Sequence, residues 1–110
     1  MTRHYLPGDV VLLSFPFANA TGAKRRPALV LLDTGDDDIV VARITSQIPP
    51  TSFDVVLVDW QQAGLLLPSV VRLHKLATLE KRLVIRHLGR VTPGDWAQAR
   101  ITVQRLWSSI

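Results

Sequence analysis

Two short clusters hold the residue types that could do chemistry. The first is Lys24-Arg25-Arg26-Pro27, three cations preceded by Gly22 and closed by a proline. Cations presented on such a loop can grip phosphate, the guanidinium forks through paired N–H donors. The second is Arg43-Ile44-Thr45-Ser46-Gln47. If it ends a strand, alternation puts Arg43 and Thr45 on one face and Ile44 on the other, so that a cation and a hydroxyl stand together as an anion site. Taken alone, each cluster also has an ordinary reading, as a solvated basic loop and as the polar end of a strand.

Other candidates are weaker. Asp36-Asp37-Asp38 could meet a hard cation, but no calcium-loop pattern accompanies it and a polar hairpin tip fits better. His4, His74 and His87 show no metal-ligand spacing and no serine elbow nearby, so no metal site is expected. They read as surface or packing residues, with His74 and His87 on neighbouring strands. Of three tryptophans, Trp96 fits the core, while Trp60 and Trp107 stay open as base-stacking residues.

The elements that must position these clusters are mostly strands. Val10 to Phe15 is an apolar, β-branched run closed by Pro16. Residues 18 to 26 lack periodicity and read as a loop. Ala28 to Leu32 and Ile39 to Ile44 form a hairpin around the acidic turn, which sets Pro27 beside Thr45 and gives both clusters one rim. Further strands are expected at Asp54 to Val58, Ser69 to Leu76 and Leu83 to Val91, with a helical turn at Glu80-Lys81-Arg82. Thr92 caps a helix opened by Pro93, with Asp95 in its first turn and Trp96, Ala99, Val103 and Leu106 on one apolar face. The outcome is a mainly β chain, a small bent antiparallel sheet or barrel with a C-terminal helix.

Composition narrows the function. The chain has 110 residues, 47% of them hydrophobic, which suits one folded domain over residues 1–110 and argues against disorder. Cysteine is absent, which excludes disulfide scaffolds, thiol catalysis and cysteine-ligated metals. No apolar run approaches the ~20 residues of a membrane helix. The N-terminal residues do not read as an export signal, so the expected location is the cytoplasm, with no membrane partner. The formal charge of +4 is unevenly spread. Residues 1–59 carry five cations against seven aspartates, and residues 60–110 carry eight cations against two acids. The basic half suits an anionic partner, either nucleic acid or an acidic protein.

Three blocks together resemble a known family. Gly8-Asp9-Val10-Val11 followed by Phe15, then Gly22-Ala23-Lys24-Arg25-Arg26-Pro27-Ala28-Leu29-Val30-Leu31, then Ile44-Thr45-Ser46-Gln47, are similar in order and spacing to the MazF/PemK toxins of bacterial type II toxin–antitoxin pairs. Leu76 to Leu83 and the terminal helix extend the likeness over nearly the whole chain. The resemblance implies an SH3-like barrel of the CcdB/MazF/PemK toxin type, a homodimer, and a sequence-selective endoribonuclease that cuts single-stranded mRNA without a metal or cofactor. It maps the catalytic pair onto Arg26 and Thr45. Lys24, Arg25, Ser46 and Gln47 become candidate RNA contacts, and the partner would be an antitoxin with an acidic C-terminal segment.

The first loop departs from the family pattern. Phe17-Ala18-Asn19-Ala20-Thr21-Gly22 replaces the usual Gly-Ser-Glu-Gln-like stretch, so the cleavage sequence does not transfer, and Asn19 and Thr21 are the candidates for base-edge contacts. A second reading comes from another class. CcdB-like toxins use the same barrel to poison DNA gyrase through the end of the terminal helix, and Trp107, three residues from Ile110, is similar to that arrangement.

Overall fold

The computed structural model describes residues 3–16, 23–47 and 50–110. Among these residues six strands, β1 (Asp9–Pro16), β2 (Ala23–Asp33), β3 (Asp38–Thr45), β4 (Asp54–Val56), β5 (Val70–Glu80) and β6 (Val84–Arg90), precede one helix, α1 (Pro93–Ser108). A 3-10 turn at Lys81–Leu83 stands where the Glu80-Lys81-Arg82 turn is expected. The strands form one antiparallel sheet in the order β4-β5-β3-β2-β1-β6. It stays open, with β4 and β6 as its edges. Because the order separates β5 from β6, His74 and His87 lie on opposite sides of the central hairpin and not on neighbouring strands.

Both faces of the sheet are apolar, which is why β1 and the Ala28–Leu32 half of β2 read as nearly continuous hydrophobic runs instead of alternating ones. Val10, Leu29, Ala42, Ile44, Val71 and Leu73 pack under α1 and the 57–65 segment, joined by partly buried Trp60 and Trp96. Val11, Leu13, Ala28, Val30, Ile39 and Val41 form a second core on the other side, under Tyr5. Among the described residues, no helix is long and apolar enough to cross a membrane.

Local chemistry explains several joints. Gly8 has a φ of +97°, accessible to glycine at little cost. Its N–H donates to the Val30 carbonyl at 2.9 Å and its own carbonyl accepts from Val91 N–H at 3.0 Å, so the chain enters β1 pinned to β2 and to the residue that follows β6. Asp9 then anchors β6, accepting from the Arg90 guanidinium at 2.7 Å with His87 Nε2 at 3.2 Å. At the head of α1, the Thr92 hydroxyl accepts from Asp95 N–H at 3.3 Å, as a cap should. The Asp95 carboxylate does more than complement the helix dipole: it accepts the backbone N–H groups of Val58 and Asp59 at 3.1 and 3.0 Å and ties that segment to the helix. Trp96, Ala99 and Val103 face the core as their spacing predicts.

The main correction concerns the first basic cluster. Lys24, Arg25 and Arg26 are expected in a loop, yet they form the first half of β2, opposite Phe15, Ser14 and Leu13 of β1. Lys24, Arg25 and Arg26 give no hydrophobic signal, and Pro27 argues locally against a strand. Pro27 is tolerated because the β2–β3 ladder begins only at Ala28↔Arg43, leaving it at an unpaired edge of β2. Two strands also differ in length: β4 ends at Val56 and β5 runs on to Glu80.

Candidate active site

β2 and β3 deliver the two clusters to one end of the sheet. There they line a cleft of about 440 Å³ containing Arg26, Pro27, Thr45, Ser46 and Gln47. Leu12 and Ile44 form its apolar floor, and Gly64 to Leu67 with Ser69 form the opposite wall. The shared rim expected from the hairpin is therefore present.

Thr45 is 8% exposed, so its side chain is held rather than free to rotate. Its hydroxyl oxygen accepts the backbone N–H of Gln47 at 3.1 Å, which leaves the O–H proton available to donate into the cleft. Arg72 steadies the same turn, donating to the Gln47 carbonyl at 3.4 Å while lying 3.6 Å from the Asp54 carboxylate. Arg26 is half-buried, and Ser46 and Gln47 are exposed. A guanidinium and an oriented hydroxyl donor lining one cavity can bind a phosphate and stabilise added negative charge on it.

The remaining candidates divide. Lys24 and Arg25 are exposed on β2 but do not line the cleft. Asn19 and Thr21 lie outside the described residues. Arg43 does not share the cavity with Thr45; it lines an adjoining cleft with Phe15 and Lys75, and Arg26 borders both. The register between β3 and β5 shifts between Ala42 and Arg43, with the residues left over lying on β5 and not on β3. Sequence reasoning missed Arg86, which projects from β6 opposite Leu12 and adds a second guanidinium to the Thr45 cleft. Its only sequence trace is the excess of cations after residue 60.

Charge sorting sets this end of the molecule apart. No Asp or Glu lines either cleft among the described residues. The carboxylates serve cations elsewhere: Asp9 meets Arg90, Asp54 meets Arg72, and Glu80 meets Arg82. The Glu80 pair lowers the glutamate pKa and raises that of Arg82, chiefly through their hydrogen bond. A larger cleft of about 500 Å³ lies near the β2–β3 hairpin tip, but Lys81 there sits 2.9 Å from Asp33 and Arg82 is taken up by Glu80. Burial pulls the Asp33 pKa upward, yet N–H donation from Tyr5, the Lys81 ammonium and the Gly35 N–H outweigh it and hold the group at about 2. The acidic tip satisfies itself, Asp36 accepting from Asp38 N–H at 3.0 Å and from the Thr34 hydroxyl at 3.1 Å.

The wall opposite Thr45 depends on a close backbone approach. Gly64 has a φ of +83°, and a Cβ there would lie 2.1 Å from the Leu88 carbonyl oxygen. Gly89 reciprocates, since its Cβ would meet Ala63 at 2.7 Å. The two glycines let the 63–67 segment press against β6 and close the cleft.

Solved structures share this architecture. A MazF from Deinococcus radiodurans is 26% identical, with 96% of this chain and 99% of that chain covered and a TM-score of 0.72. A MazE–MazF structure from the same organism gives 25% identity, 93% and 94% coverage and a TM-score of 0.76. An endoribonuclease from a mycobacterial species shares the fold at 18% identity, covering 97% of this chain and 94% of that one, with a TM-score of 0.76. No curated protein sequence matches. Residues 6–107 match the family described as PemK-like, MazF-like toxin of type II toxin-antitoxin system. With the two clusters on one rim and the family pattern spanning almost the whole chain, this protein belongs to the PemK/MazF-like family of type II toxins.

Proposed function

We propose that the chain is the toxin of a type II toxin–antitoxin pair and an endoribonuclease that cleaves single-stranded RNA, with Arg26 and Thr45 as its catalytic residues. The observation that carries the reading is the common cleft, which half-buried Arg26 and the buried, oriented hydroxyl of Thr45 line together. Family membership supports it, as do the MazF and endoribonuclease structures with the same fold.

RNA brings its own nucleophile, the 2′-hydroxyl, so the protein's task is to hold that oxygen in line with the phosphorus and to stabilise charge. The 2′-oxygen bonds to phosphorus as its proton passes to solvent, the bond to the 5′-oxygen breaks and that oxygen takes up a proton from solvent, and the products are a 2′,3′-cyclic phosphate and a 5′-hydroxyl. Thr45 donates to a non-bridging oxygen. Arg26 neutralises the phosphorane and hydrogen-bonds the leaving oxygen. Ser46 and Gln47 contact the strand from the exposed rim, with Lys24 and Arg25 drawing RNA toward it from outside the cleft.

The protein acts as a single domain over residues 1–110, as a homodimer, in the cytoplasm. Its antitoxin covers the cationic end with an acidic C-terminal segment. The gyrase-poison alternative rests on Trp107, which is 67% exposed. Exposure alone does not favour it, and such a poison has no use for a cleft that joins Arg26 to Thr45.

The reading is tested by incubating the purified protein with long single-stranded RNA in EDTA. Discrete cleavage supports it, and intact RNA together with trapped gyrase–DNA complexes overturns it.

A further inference from the structure

The cleft on the other side of Arg26 has no part in the chemistry above, and a distinct irregularity builds it. Ala42 of β3 faces Leu76 of β5, but the next residue, Arg43, faces Arg72. Leu73, His74 and Lys75 therefore have no counterpart on β3 and form a bulge, a device that re-aims side chains and recurs beside active sites. Leu73 N–H turns to the Phe53 carbonyl at 3.0 Å, and the His74 ring lies 6.3 Å from that of Phe53 at a 56° tilt. Lys75 is left lining a cleft of about 300 Å³ with Phe15, Arg26, Val41 and Arg43.

Three cations thus surround one small cavity that, among the described residues, no carboxylate lines. Among the described residues, none of the three makes an ion pair. Like charges gathered this way repel unless an anion sits between them. Phe15 adds a partly buried aromatic wall and Val41 an apolar floor. Cations beside an aromatic ring match a phosphate joined to a base, since every nucleobase has a face to stack. The volume lies at the small end of ligand sites, as a single nucleotide requires.

We infer that the Phe15–Arg43–Lys75 cleft is a subsite for one nucleotide of the RNA next to the cleaved bond, its phosphate between Arg43 and Lys75 and its base against Phe15. The inference rests on the ribonuclease reading. Because Arg26 borders both clefts, a strand whose scissile phosphate meets Arg26 carries its neighbour toward this second cavity. Lys75 and Phe15 then bind and select substrate without touching the reacting atoms.

The test uses the full chain, a pool of single-stranded RNA of randomised sequence, and the variants Lys75→Ala, Lys75→Arg and Phe15→Leu, with folding checked by thermal melting. Cut ends are sequenced, and kinetics are measured on the preferred sequence over a range of salt. Lys75→Ala raises KM about tenfold with kcat little changed, and lowers the salt slope by about 0.7, the share of one phosphate contact on a single strand. Lys75→Arg restores both. Phe15→Leu flattens base preference at one position beside the cut and leaves the others intact. Unchanged KM, salt slope and base preference overturn the subsite while leaving the ribonuclease reading standing, and so does an effect confined to binding of an acidic polyglutamate competitor. A pool that the wild type leaves uncut overturns both.

Discussion

The hydroxyl oxygen of Thr45 accepts the backbone N–H of Gln47 at 3.1 Å, so the last residue of β3 is turned toward the cleft by the chain that follows it. The hydrogen bond uses the oxygen as acceptor and leaves the proton free, which is the orientation a donor to a phosphorane needs. Thr45→Val keeps the shape and removes the donor. Cleavage falls about 10²- to 10³-fold in kcat, the usual loss for one oriented donor, while RNA affinity changes little. Thr45→Ser, which keeps the hydroxyl, retains most of the rate. Single-turnover kinetics alongside binding to an uncleavable RNA separate the two effects.

Arg26 lines both clefts, and its planar fork is what lets one side chain hold two phosphate oxygens. Arg26→Lys preserves charge and loses the fork. Binding at low salt persists within a few-fold, but kcat drops by about 10² or more. Equal losses in binding and rate would place Arg26 in general electrostatics rather than at the reacting phosphate.

Gly64 and Gly35 separate two costs of a left-handed backbone. Both have φ near +90°, but the Cβ of an alanine at Gly35 meets nothing within 4 Å, whereas at Gly64 it collides with the Leu88 carbonyl oxygen. Gly35→Ala costs about 1 kcal/mol. Gly64→Ala costs about 3 kcal/mol or more, because strain is joined by steric overlap. It also moves the cleft wall, so its activity falls further than its stability explains. Chemical denaturation gives the first quantity and RNA cleavage under folded conditions the second.

Asp33 governs behaviour in acid. Its folded pKa of about 2 lies below the ordinary 3.8, so the stability it contributes is complete above pH 3.8 and disappears as pH falls toward 2. Wild-type melting temperature therefore declines across that window. Asp33→Asn removes the counter-ion of Lys81, whose side chain is only 8% exposed, and costs about 3 kcal/mol near neutrality. Melting curves for the variant are nearly flat between pH 4 and pH 2 relative to the wild type, after both are corrected for the remaining carboxylates.

Much of the fold is legible because local signals agree. Pro27, the acidic turn and Thr45 fix the β2–β3 hairpin, and Thr92-Pro93 with Asp95 marks the start of α1 within a residue. The site is legible to the extent that it lies on that hairpin. What stays hidden depends on contacts distant in sequence. Lys24 to Arg26 become a strand only because β1 offers a partner. Arg86 reaches the cleft because β6 crosses the chain to pair with β1. Lys75 is re-aimed by a register shift that no pattern of apolar residues encodes, and the partnership of Gly64 with Gly89 spans two segments that look like unrelated turns.

The proposed function requires that this cleft direct the RNA's own 2′-hydroxyl onto the adjacent phosphorus. It is tested most directly with a short RNA that contains one mapped cleavage site and a single 2′-deoxy substitution at the nucleotide 5′ to that site. The all-ribose strand is expected to be cut in EDTA to a fragment whose 5′ end is labelled by polynucleotide kinase without prior dephosphorylation, and the substituted strand to remain intact while binding equally well. Cleavage of the substituted strand, or a product bearing a 5′-phosphate, would contradict it.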